Sequence, residues 1–265
     1  MKPHFIVDDL GRRVALDPVP RRILSLIPSV TEFLFDVGLG ARAVGRTSFC
    51  ISPEECRPLP AVGGPKTVDL ELVRALRPDL ILANAEENRR DQVEALLSEG
   101  FRVHVAFPRD LGGAARLLRS LGELLGVPAP AEALARELEG VSAPPPGPRP
   151  RCACLIWKDP YMTATRETLT SALLEAAGAS NAFAELPGRY PRVEVEELVA
   201  ASPAAILLPS EPYPFGEADA AELEALVPSA ALLRVPGEWV TWYGSRMANS
   251  IAALRRVLDP LRVAA

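Results

Sequence analysis

The stretch VDLELVRALRPDLILANAE, residues 68–86, returns in diverged form as VEVEELVAASPAAILLPSE, residues 193–211. The two segments align without a gap over 19 positions at a constant offset of 125, and seven aligned positions are identical. The identical pairs are Val68/Val193, Glu71/Glu196, Ala75/Ala200, Pro78/Pro203, Ile81/Ile206, Leu82/Leu207 and Glu86/Glu211. We interpret this match as an internal duplication around which the rest of the chain is arranged.

Each copy has the pattern of a short helix, a proline that ends it and a buried strand. Pro78 and Pro203 end the helices because proline has no N–H and disfavours helical geometry in the preceding residue. The apolar runs LILA and AILL are typical of strands buried on both faces of a parallel sheet. Two interpretations stay open: two ordinary helix–strand units of one sheet, or two similar lobes with a ligand site between them.

Strands alternate with helices in both halves, which predicts an α/β protein of two Rossmann-like lobes with mostly parallel sheets. The predicted parts are a β-hairpin arm (1–21), an N-terminal lobe (22–110), connecting helices with a Pro-rich linker (111–150) and a C-terminal lobe (151–265). The linker SAPPPGPRP, residues 142–150, favours extended polyproline geometry. A single linker helix, predicted at 131–139, precedes it.

Two local patterns give further structural predictions. Ser29 followed by Glu32 has the spacing of a helix capping box, so we expect Ser29 to be the N-cap of the first helix. In the N-terminal arm, FIVDD and RRVAL flank Leu10 and Gly11, which predicts a β-hairpin with Gly11 in its turn.

Composition limits the classes of partner. The chain has 265 residues, 48% of them apolar, and a net charge of −5. An acidic chain argues against nucleic acid as a partner, and no run of 18 apolar residues predicts a membrane span. The start MKPHFIVDDLGRRV lacks the apolar core of a signal peptide, so either the protein is cytosolic or a leader has been removed.

The four cysteines are expected to be free thiols. Cys152 and Cys154 lie two apart on a predicted strand, roughly 6–7 Å from each other, which is poor disulfide geometry. Cys50 and Cys56 could bridge across a loop. Neither pair has the C-x₂-C spacing of zinc sites, so a metal-dependent enzyme at the cysteines is a minor alternative.

Catalytic motifs are lacking. The chain has no P-loop, H-E-x-x-H or G-x-S-x-G sequence. Its two histidines are His4, in the arm, and His104, expected to be half-buried in the strand VHVAF. We therefore expect a binding protein rather than an enzyme, with no catalytic residue, no metal site and no cofactor.

Aromatic residues point to a ligand instead. All three tryptophans and all four tyrosines follow residue 150, and many lie in loops after predicted strands. They are Trp157, Tyr161, Tyr190, Tyr213, Trp239, Trp242 and Tyr243. Such loops suit a wide, flat, partly apolar ligand, although core packing is the alternative for some of these residues. Arg189 and Arg246 could meet its carboxylate, amide or phosphate groups.

Glu71 and Glu196 are the matched carboxylates of the duplication. Both fall early in predicted helices, where the helix dipole favours negative charge. The functional alternative is a symmetric pair of surface charges, one per lobe, presented to a two-fold partner.

Three segments of the chain resemble substrate-binding proteins of the helical-backbone class, which serve ABC importers for vitamin B12, ferric siderophores and haem. They are RRILSLIPSVTEFLFDVGLGARAVGRT (21–47), VGGPKTVDLELVRALRPDLILA (62–83) and DPYMTA with LPGRYPRVEVEELVAASPAAILLPSEPYPF (159–164 and 186–215). The resemblance is closest to the cobalamin-binding branch and extends over about residues 5–258.

This resemblance implies two lobes joined by one helix, a corrinoid or similar large metal chelate held between them, and an importer whose permease is a dimer. It implies that the loops around Ser29, Phe49, Gly63, Gly64, Trp157, Tyr190 and Trp242 line the cleft. With Tyr161, Arg189, Tyr243 and Arg246 they form the predicted ligand site. Glu71 and Glu196 match the glutamates that dock each lobe onto arginines of the permease.

The resemblance also implies a periplasmic, monomeric protein. The lack of a leader keeps a cytoplasmic carrier or sensor on the same fold as an alternative. A ferric siderophore or haem is the alternative ligand, with Tyr190 and Tyr243 available as axial ligands to iron.

Three departures from the cobalamin-binding branch bear on the site. Pro65 follows VGG where the branch often has an aromatic residue. TRET, residues 165–168, replaces a glycine-containing loop, which predicts a narrower pocket. The joining helix is expected to be short because SAPPPGPRP interrupts it.

Overall fold

A computed structural model of the chain describes residues 4–263, without the side chain of Val263. The backbone forms two compact units, called here lobe 1 and lobe 2. Lobe 1 comprises 4–108, Gly113–Arg136 and Tyr243–Ser245, and lobe 2 comprises Arg109–Gly112, Glu137–Trp242 and 246–263. The first three residues of the predicted arm and the last two of the predicted C-terminal lobe lie outside the described residues.

Lobe 1 begins with the arm, in which β1 (Phe5–Val7) pairs antiparallel with β2 (Arg13–Ala15). The Asp8 carboxylate holds the turn by accepting hydrogen bonds from the backbone N–H groups of Leu10 and Arg12, at 3.0 and 2.9 Å. Gly11 adopts a φ of +79°, a conformation that favours glycine. The hairpin prediction is confirmed.

The sheet of lobe 1 is parallel, with the order β4-β3-β7-β8. Its strands, together with the small antiparallel pair β5–β6, are β3 (Ile23–Ser25), β4 (Ala43–Arg46), β5 (Gly63–Gly64), β6 (Thr67–Val68), β7 (Leu80–Asn84) and β8 (Val103–Ala106). Every residue of β3, β7 and β8 is buried, as expected for parallel strands covered on both faces.

The helices of the first half are α1 (Pro28–Asp36), α2 (Leu70–Leu76), α3 (Arg90–Ser98), α4 (Leu111–Leu125) and α5 (Pro128–Val141). The capping-box prediction for α1 is wrong. Ile27 is the N-cap, and Pro28 is the first helical residue, where its fixed φ and missing N–H are tolerated. Ser29 is therefore already inside the helix.

The joining helix α5 is longer than predicted. It runs over 14 residues instead of the nine of 131–139. Pro128 and Pro130 lie in its first turn, where the missing proline N–H groups would have no intrahelical partner in any case. The chain passes from lobe 1 to lobe 2 within this helix, at residue 137.

The sheet of lobe 2 is mixed and has the order β10-β9-β12-β13, and β11 also pairs with β9. Its strands are β9 (Arg151–Trp157), β10 (Met162–Thr163), β11 (Ser180–Asn181), β12 (Ala205–Pro209) and β13 (Ala231–Val235). Only the short β10 runs antiparallel to its neighbour among these described pairs. Its helices are α6 (Leu169–Ala176), α7 (Val195–Ala201), α8 (Glu217–Leu226), α9 (Glu238–Thr241) and α10 (Met247–Val263).

The Pro-rich linker is held against lobe 2 by arginines of α10. The Arg255 guanidinium donates to the carbonyls of Val141 and Ala143 at 2.6 and 2.8 Å. Arg262 donates to the carbonyl of Pro145 at 3.3 Å. Prolines cannot supply N–H groups to a helix or sheet, so side-chain donors satisfy this segment's carbonyls instead.

The duplication is structural as well as sequential. Strands β7 and β12 occupy the third position of their sheets and keep the offset of 125. The helices before them end in left-handed residues with nearly equal angles, Arg77 (φ 45°, ψ 58°) and Ser202 (φ 43°, ψ 56°). Val73 and Leu198 are both fully buried beneath them. Because the copies lie in different lobes, the alternative of one sheet is wrong.

The remaining sequence predictions concern buried groups. All four cysteines are buried free thiols. His104 is fully rather than half buried, and burial lowers its pKa to about 4. Within residues 4–263, no helix is long and apolar enough to cross a membrane, and no cluster of three or more His, Cys, Asp or Glu side chains could hold a metal ion.

Candidate functional site

In open parallel sheets, ligands bind beyond the carboxyl ends of the strands. In lobe 1 this edge carries Phe49, which follows β4 and is 64% exposed. A Cβ atom on Gly64 would lie 3.2 Å from Cε2 of Phe49, so the ring rests close over that glycine. Ile51, 57% exposed, extends the apolar surface. Lobe 1 thus offers an aromatic and aliphatic surface, defined by Phe49 and Ile51, at its strand ends.

Gly63 makes this arrangement sterically feasible. It has a φ of +88°, and a Cβ atom there would lie 2.2 Å from the carbonyl oxygen of Thr67. Only glycine fits, because any side chain would push the β5–β6 hairpin apart. The structure therefore brings the predicted residues Phe49, Gly63 and Gly64 together.

Ser29 and Tyr243 lie in the packed interior of lobe 1, not on an exposed surface. They are 3% and 4% exposed. The Tyr243 hydroxyl accepts a hydrogen bond from the Asn84 side-chain amide at 2.8 Å, and burial raises the pKa of Tyr243 well above its usual value. Tyr243 was predicted in the C-terminal lobe as a ligand contact, but the structure makes it a buried partner of β7.

Asn84 and Asn88 are residues that sequence reasoning missed. The Asn88 side-chain oxygen accepts from the Asn84 backbone N–H at 2.8 Å, and its amide donates to the carbonyls of Leu26 and Pro65 at 3.3 and 3.1 Å. Asn88 thus links the end of β7, the segment after β3 and the loop that contains Pro65. The polar end of the apolar run LILAN was the available signal.

The strand ends of lobe 2 carry a row of aromatic rings. Trp157, the last residue of β9, is 43% exposed. Its ring meets the Tyr213 ring edge-on, with centroids 5.7 Å apart and planes at 71°. Tyr213 in turn contacts Phe215 at 4.7 Å. Tyr213 follows β12, so two neighbouring strand ends build one aromatic surface, defined by Trp157 and Tyr213.

Tyr161 supports this surface rather than lining it. It is 9% exposed, and its hydroxyl donates to the Glu222 carboxylate at 3.0 Å. Burial raises the pKa of Tyr161 to about 12. Lys158 forms ion pairs with Asp219 and Glu222 at 2.8 and 2.7 Å. These contacts fasten the loop after Trp157 to α8.

Trp242 and Arg246 form a stacked pair, and a half-buried carboxylate, that of Glu211, holds Trp242. The guanidinium of Arg246 lies 4.6 Å from the centre of the Trp242 ring, and Trp242 is 8% exposed. The indole N–H of Trp242 donates to Glu211, which also accepts from the Thr241 hydroxyl at 3.2 Å. Burial raises the pKa of Glu211, while the hydrogen bond from Trp242 acts against the rise. Trp242 therefore presents little ring surface.

Glu211 is the third residue that sequence reasoning missed. The signal was present, because Glu211 and Glu86 are an identical pair of the duplication. A Cβ atom on Gly237 would lie 2.1 Å from Cγ of Glu211, so the chain before α9 packs directly against this glutamate.

Arg189 and Tyr190 lie side by side, with the guanidinium 5.7 Å from the centre of the ring. Their loop is held by Thr165, which donates from its hydroxyl to the Gly188 carbonyl at 2.7 Å. Thr168 caps α6 by accepting from the Ser171 N–H at 3.2 Å. The departure segment 165–168 thus supports a neighbouring loop and a helix. Ligand contact by Arg189, Tyr190, Trp157, Phe49 and Arg246 stays a prediction.

Glu71 and Glu196 are exposed in the first turns of α2 and α7. Each lies at the second position of a seven-residue helix. Their role in docking stays a prediction as well.

The chain is similar in sequence to known periplasmic binding proteins. The family model described as periplasmic binding protein matches residues 23–225. The vitamin B12-binding protein of Pectobacterium carotovorum is 27% identical over 205 residues, covering 73% of either chain. The vitamin B12-binding protein of Photorhabdus laumondii is 29% identical over 199 residues, covering 73% of this chain and 72% of its own.

Two solved structures have the same fold. The periplasmic vitamin B12-binding protein of Vibrio cholerae matches with a TM-score of 0.75 and 21% identity, covering 91% of this chain and 98% of its own. A periplasmic haem-binding protein of Pseudomonas aeruginosa matches with a TM-score of 0.76 and 26% identity, covering 91% and 93%. The predicted two-lobe α/β fold is confirmed.

Proposed function

This chain belongs to the periplasmic binding protein family, and we propose that it captures a corrinoid, a cobalamin-like ligand, for an ABC importer. The observation that carries the proposal is the similarity to curated vitamin B12-binding proteins over about three quarters of the chain.

The surfaces at the strand ends support a wide, partly apolar ligand. Lobe 1 exposes Phe49 and Ile51, and lobe 2 exposes Trp157 beside Tyr213. Aromatic faces bind flat, partly apolar molecules over a large area without needing a charge match. Arg189 and Arg246 would add hydrogen bonds to amide or carboxylate groups at the rim of such a ligand.

Haem is the second candidate, because a structural relative at 26% identity is a haem-binding protein. Haem iron is commonly held by histidine or tyrosine. His104 is buried inside β8, and the hydroxyls of Tyr161 and Tyr243 are already hydrogen-bonded with raised pKa values. A raised pKa opposes the tyrosinate that would bind iron. These three side chains are therefore poor axial ligands, and of the two tyrosines predicted for this role only Tyr190 remains a candidate.

The importer partner follows from membership of a family of transporter binding proteins, which also supports a location outside the cytoplasm. Docking would use Glu71 and Glu196, since both are exposed and related by the offset of the duplication. Oppositely charged surfaces guide such encounters and set their orientation.

The proposal is tested by tryptophan fluorescence during titration with cyanocobalamin, corrected for absorption by the ligand. We expect saturable quenching at about micromolar concentration or below. Trp157→Ala should abolish most of the quenching, whereas the half-buried Trp239→Phe serves as the matched control and should retain it. If cyanocobalamin causes no quenching but haemin shows a shifted Soret band when the protein is added, we would conclude that the ligand is haem.

A further inference from the structure

The two predicted docking helices have the same backbone but different side-chain surroundings. Helices α2 and α7 each have seven residues and end in left-handed caps with nearly equal angles. Glu71 and Glu196 therefore occupy equivalent positions. Any difference in their behaviour must come from neighbouring side chains, above all from the residue one turn later, three positions along the helix.

In lobe 1 that neighbour is Arg74, which pairs with Glu71. Arg74 also donates two hydrogen bonds to the Glu99 carboxylate, at 2.8 and 2.6 Å. These hydrogen bonds lower the pKa of Glu99 and fix the guanidinium in place. Glu71 is still 86% exposed, but its charge already has a cationic partner within the lobe.

In lobe 2 the equivalent neighbour is Val199, which is 50% exposed. Glu197 is occupied by the helix cap, because its carboxylate accepts from the Glu194 backbone N–H at 2.8 Å. Within residues 4–263, the structure gives the Glu196 carboxylate no hydrogen bond and no ion pair. Lobe 2 thus presents an unneutralised carboxylate beside an aliphatic side chain.

The net charge of the two segments also differs. Residues 68–79 contain three acidic and two basic side chains, whereas residues 193–204 contain three acidic and no basic side chains. A basic partner side chain could pair with Glu196 while its aliphatic stem packs on Val199. At Glu71 the same group would meet the positive charge of Arg74, and it would have to compete with an existing ion pair.

We propose that the importer docks unequally on the two lobes: Glu196 with Val199 is the principal contact for a basic surface of the permease, and Arg74 masks Glu71. This inference rests on the proposed function, since it assumes that the chain docks onto a permease through these helices. It differs from the symmetric pair of charges expected from the sequence. Arg74 and Val199 are then the residues that make the contributions of the two lobes to permease binding unequal.

The duplication supplies the variants for a test. Arg74→Val places the residue of lobe 2 into lobe 1, and Val199→Arg makes the reverse exchange. Arg90→Val is the control for losing an exposed arginine of lobe 1, since Arg90 also pairs with a carboxylate, that of Glu94 at 2.6 Å. Binding of each variant to the purified permease–ATPase complex of the same organism, held in nanodiscs, is measured by biolayer interferometry at two salt concentrations.

We expect Glu196→Gln to weaken binding about tenfold and Glu71→Gln to weaken it about twofold or less. In the Arg74→Val background, Glu71→Gln should cost about tenfold, because the charge is no longer masked. Val199→Arg should weaken binding as much as Glu196→Gln, and Arg90→Val should have no effect. Equal effects of the two glutamate variants, or an unchanged Glu71→Gln effect in the Arg74→Val background, would overturn the inequality.

Failure of the proposed function gives a different result. If the double variant Glu71→Gln/Glu196→Gln binds the permease complex as well as the unaltered protein, docking through these helices is wrong altogether. Cyanocobalamin titration of every variant separates docking from ligand capture, because none of the substitutions lies at the strand-end surfaces.

Discussion

The two lobes have equivalent residues in their separate cores and differ at their surfaces. Ile81 and Ile206 are identical, fully buried and placed in equivalent strands, and the helix ends before them have the same left-handed geometry. By contrast, Arg74 faces Glu71 in lobe 1 where Val199 accompanies Glu196 in lobe 2. Burial constrains a strand position to one kind of side chain, whereas an exposed helix face is free to change. We therefore expect the two lobes to differ in function first at the exposed faces of α2 and α7.

The largest effects on stability are expected at the equivalent core positions of the two lobes. Ile81→Ala and Ile206→Ala each remove a fully buried side chain, and each should lower the free energy of unfolding by about 2–5 kcal/mol. Because the two sites are equivalent, the losses should agree within about 1 kcal/mol. Urea denaturation of both variants measures this. A loss at one site only would show that the duplication does not extend to packing.

A smaller effect is expected at Asn84, a polar contact of lobe 1. Asn84→Ala leaves the buried Tyr243 hydroxyl without its 2.8 Å partner, which should cost about 1–3 kcal/mol. Tyr243→Phe removes the hydroxyl itself and should cost less. In a double-mutant cycle by urea denaturation, the cost of Asn84→Ala should shrink in the Tyr243→Phe background. Simple additivity of the two losses would argue against this contact.

The contact between Glu211 and Trp242 in lobe 2 should depend on pH. Burial raises the pKa of Glu211, with Glu238 adding to the rise and Trp242, Thr241 and Arg246 opposing it. The folded state thus binds the proton more tightly than the unfolded state, so stability due to Glu211 falls as pH rises from the usual glutamate pKa through the raised one. Relative to Glu211→Gln, the Tm of the unaltered protein should drop over this window. A constant difference in Tm between pH 4 and pH 8 would contradict the account.

The smallest effect on stability is expected at Arg74, on the exposed face of α2. Arg74→Val removes two surface ion pairs, those with Glu71 and Glu99, and such pairs contribute little to folding. Its Tm, measured by differential scanning calorimetry, should match that of the unaltered protein within error, although its docking should change. A clear loss of stability would mean that Arg74 has a structural role, and the docking comparison would then have to use Arg74→Gln, which removes the charge but keeps a polar side chain.

The duplicated segment allowed the α/β class and the two lobes to be predicted, because helix, proline stop and buried strand are local patterns. The site was predicted less well. Tyr243 pairs with Asn84 across 159 positions of sequence, and Trp242 pairs with Glu211 across 31. No periodicity reports contacts at such separations, so ring exposure could not be separated from ring burial. Trp157 and Tyr161 lie four residues apart, yet one is exposed and the other is buried.

The cap of α1 shows the same limit on a smaller scale. Ser29 and Glu32 have the spacing of a capping box, but Pro28 starts the helix one residue earlier. Two local signals competed, and proline prevailed because its φ is already helical.

The central claim is that the chain binds a corrinoid through exposed aromatic rings at its strand ends, and isothermal titration calorimetry with cyanocobalamin tests it most directly. Phe49→Ala and Trp157→Ala should each weaken binding about tenfold, since each removes an exposed ring on which the ligand can stack. Val199→Ala, an equally exposed apolar residue away from the strand ends, should bind as the unaltered protein does. Unchanged affinity in both aromatic variants, or tight binding of haemin with none of cyanocobalamin, would contradict the account.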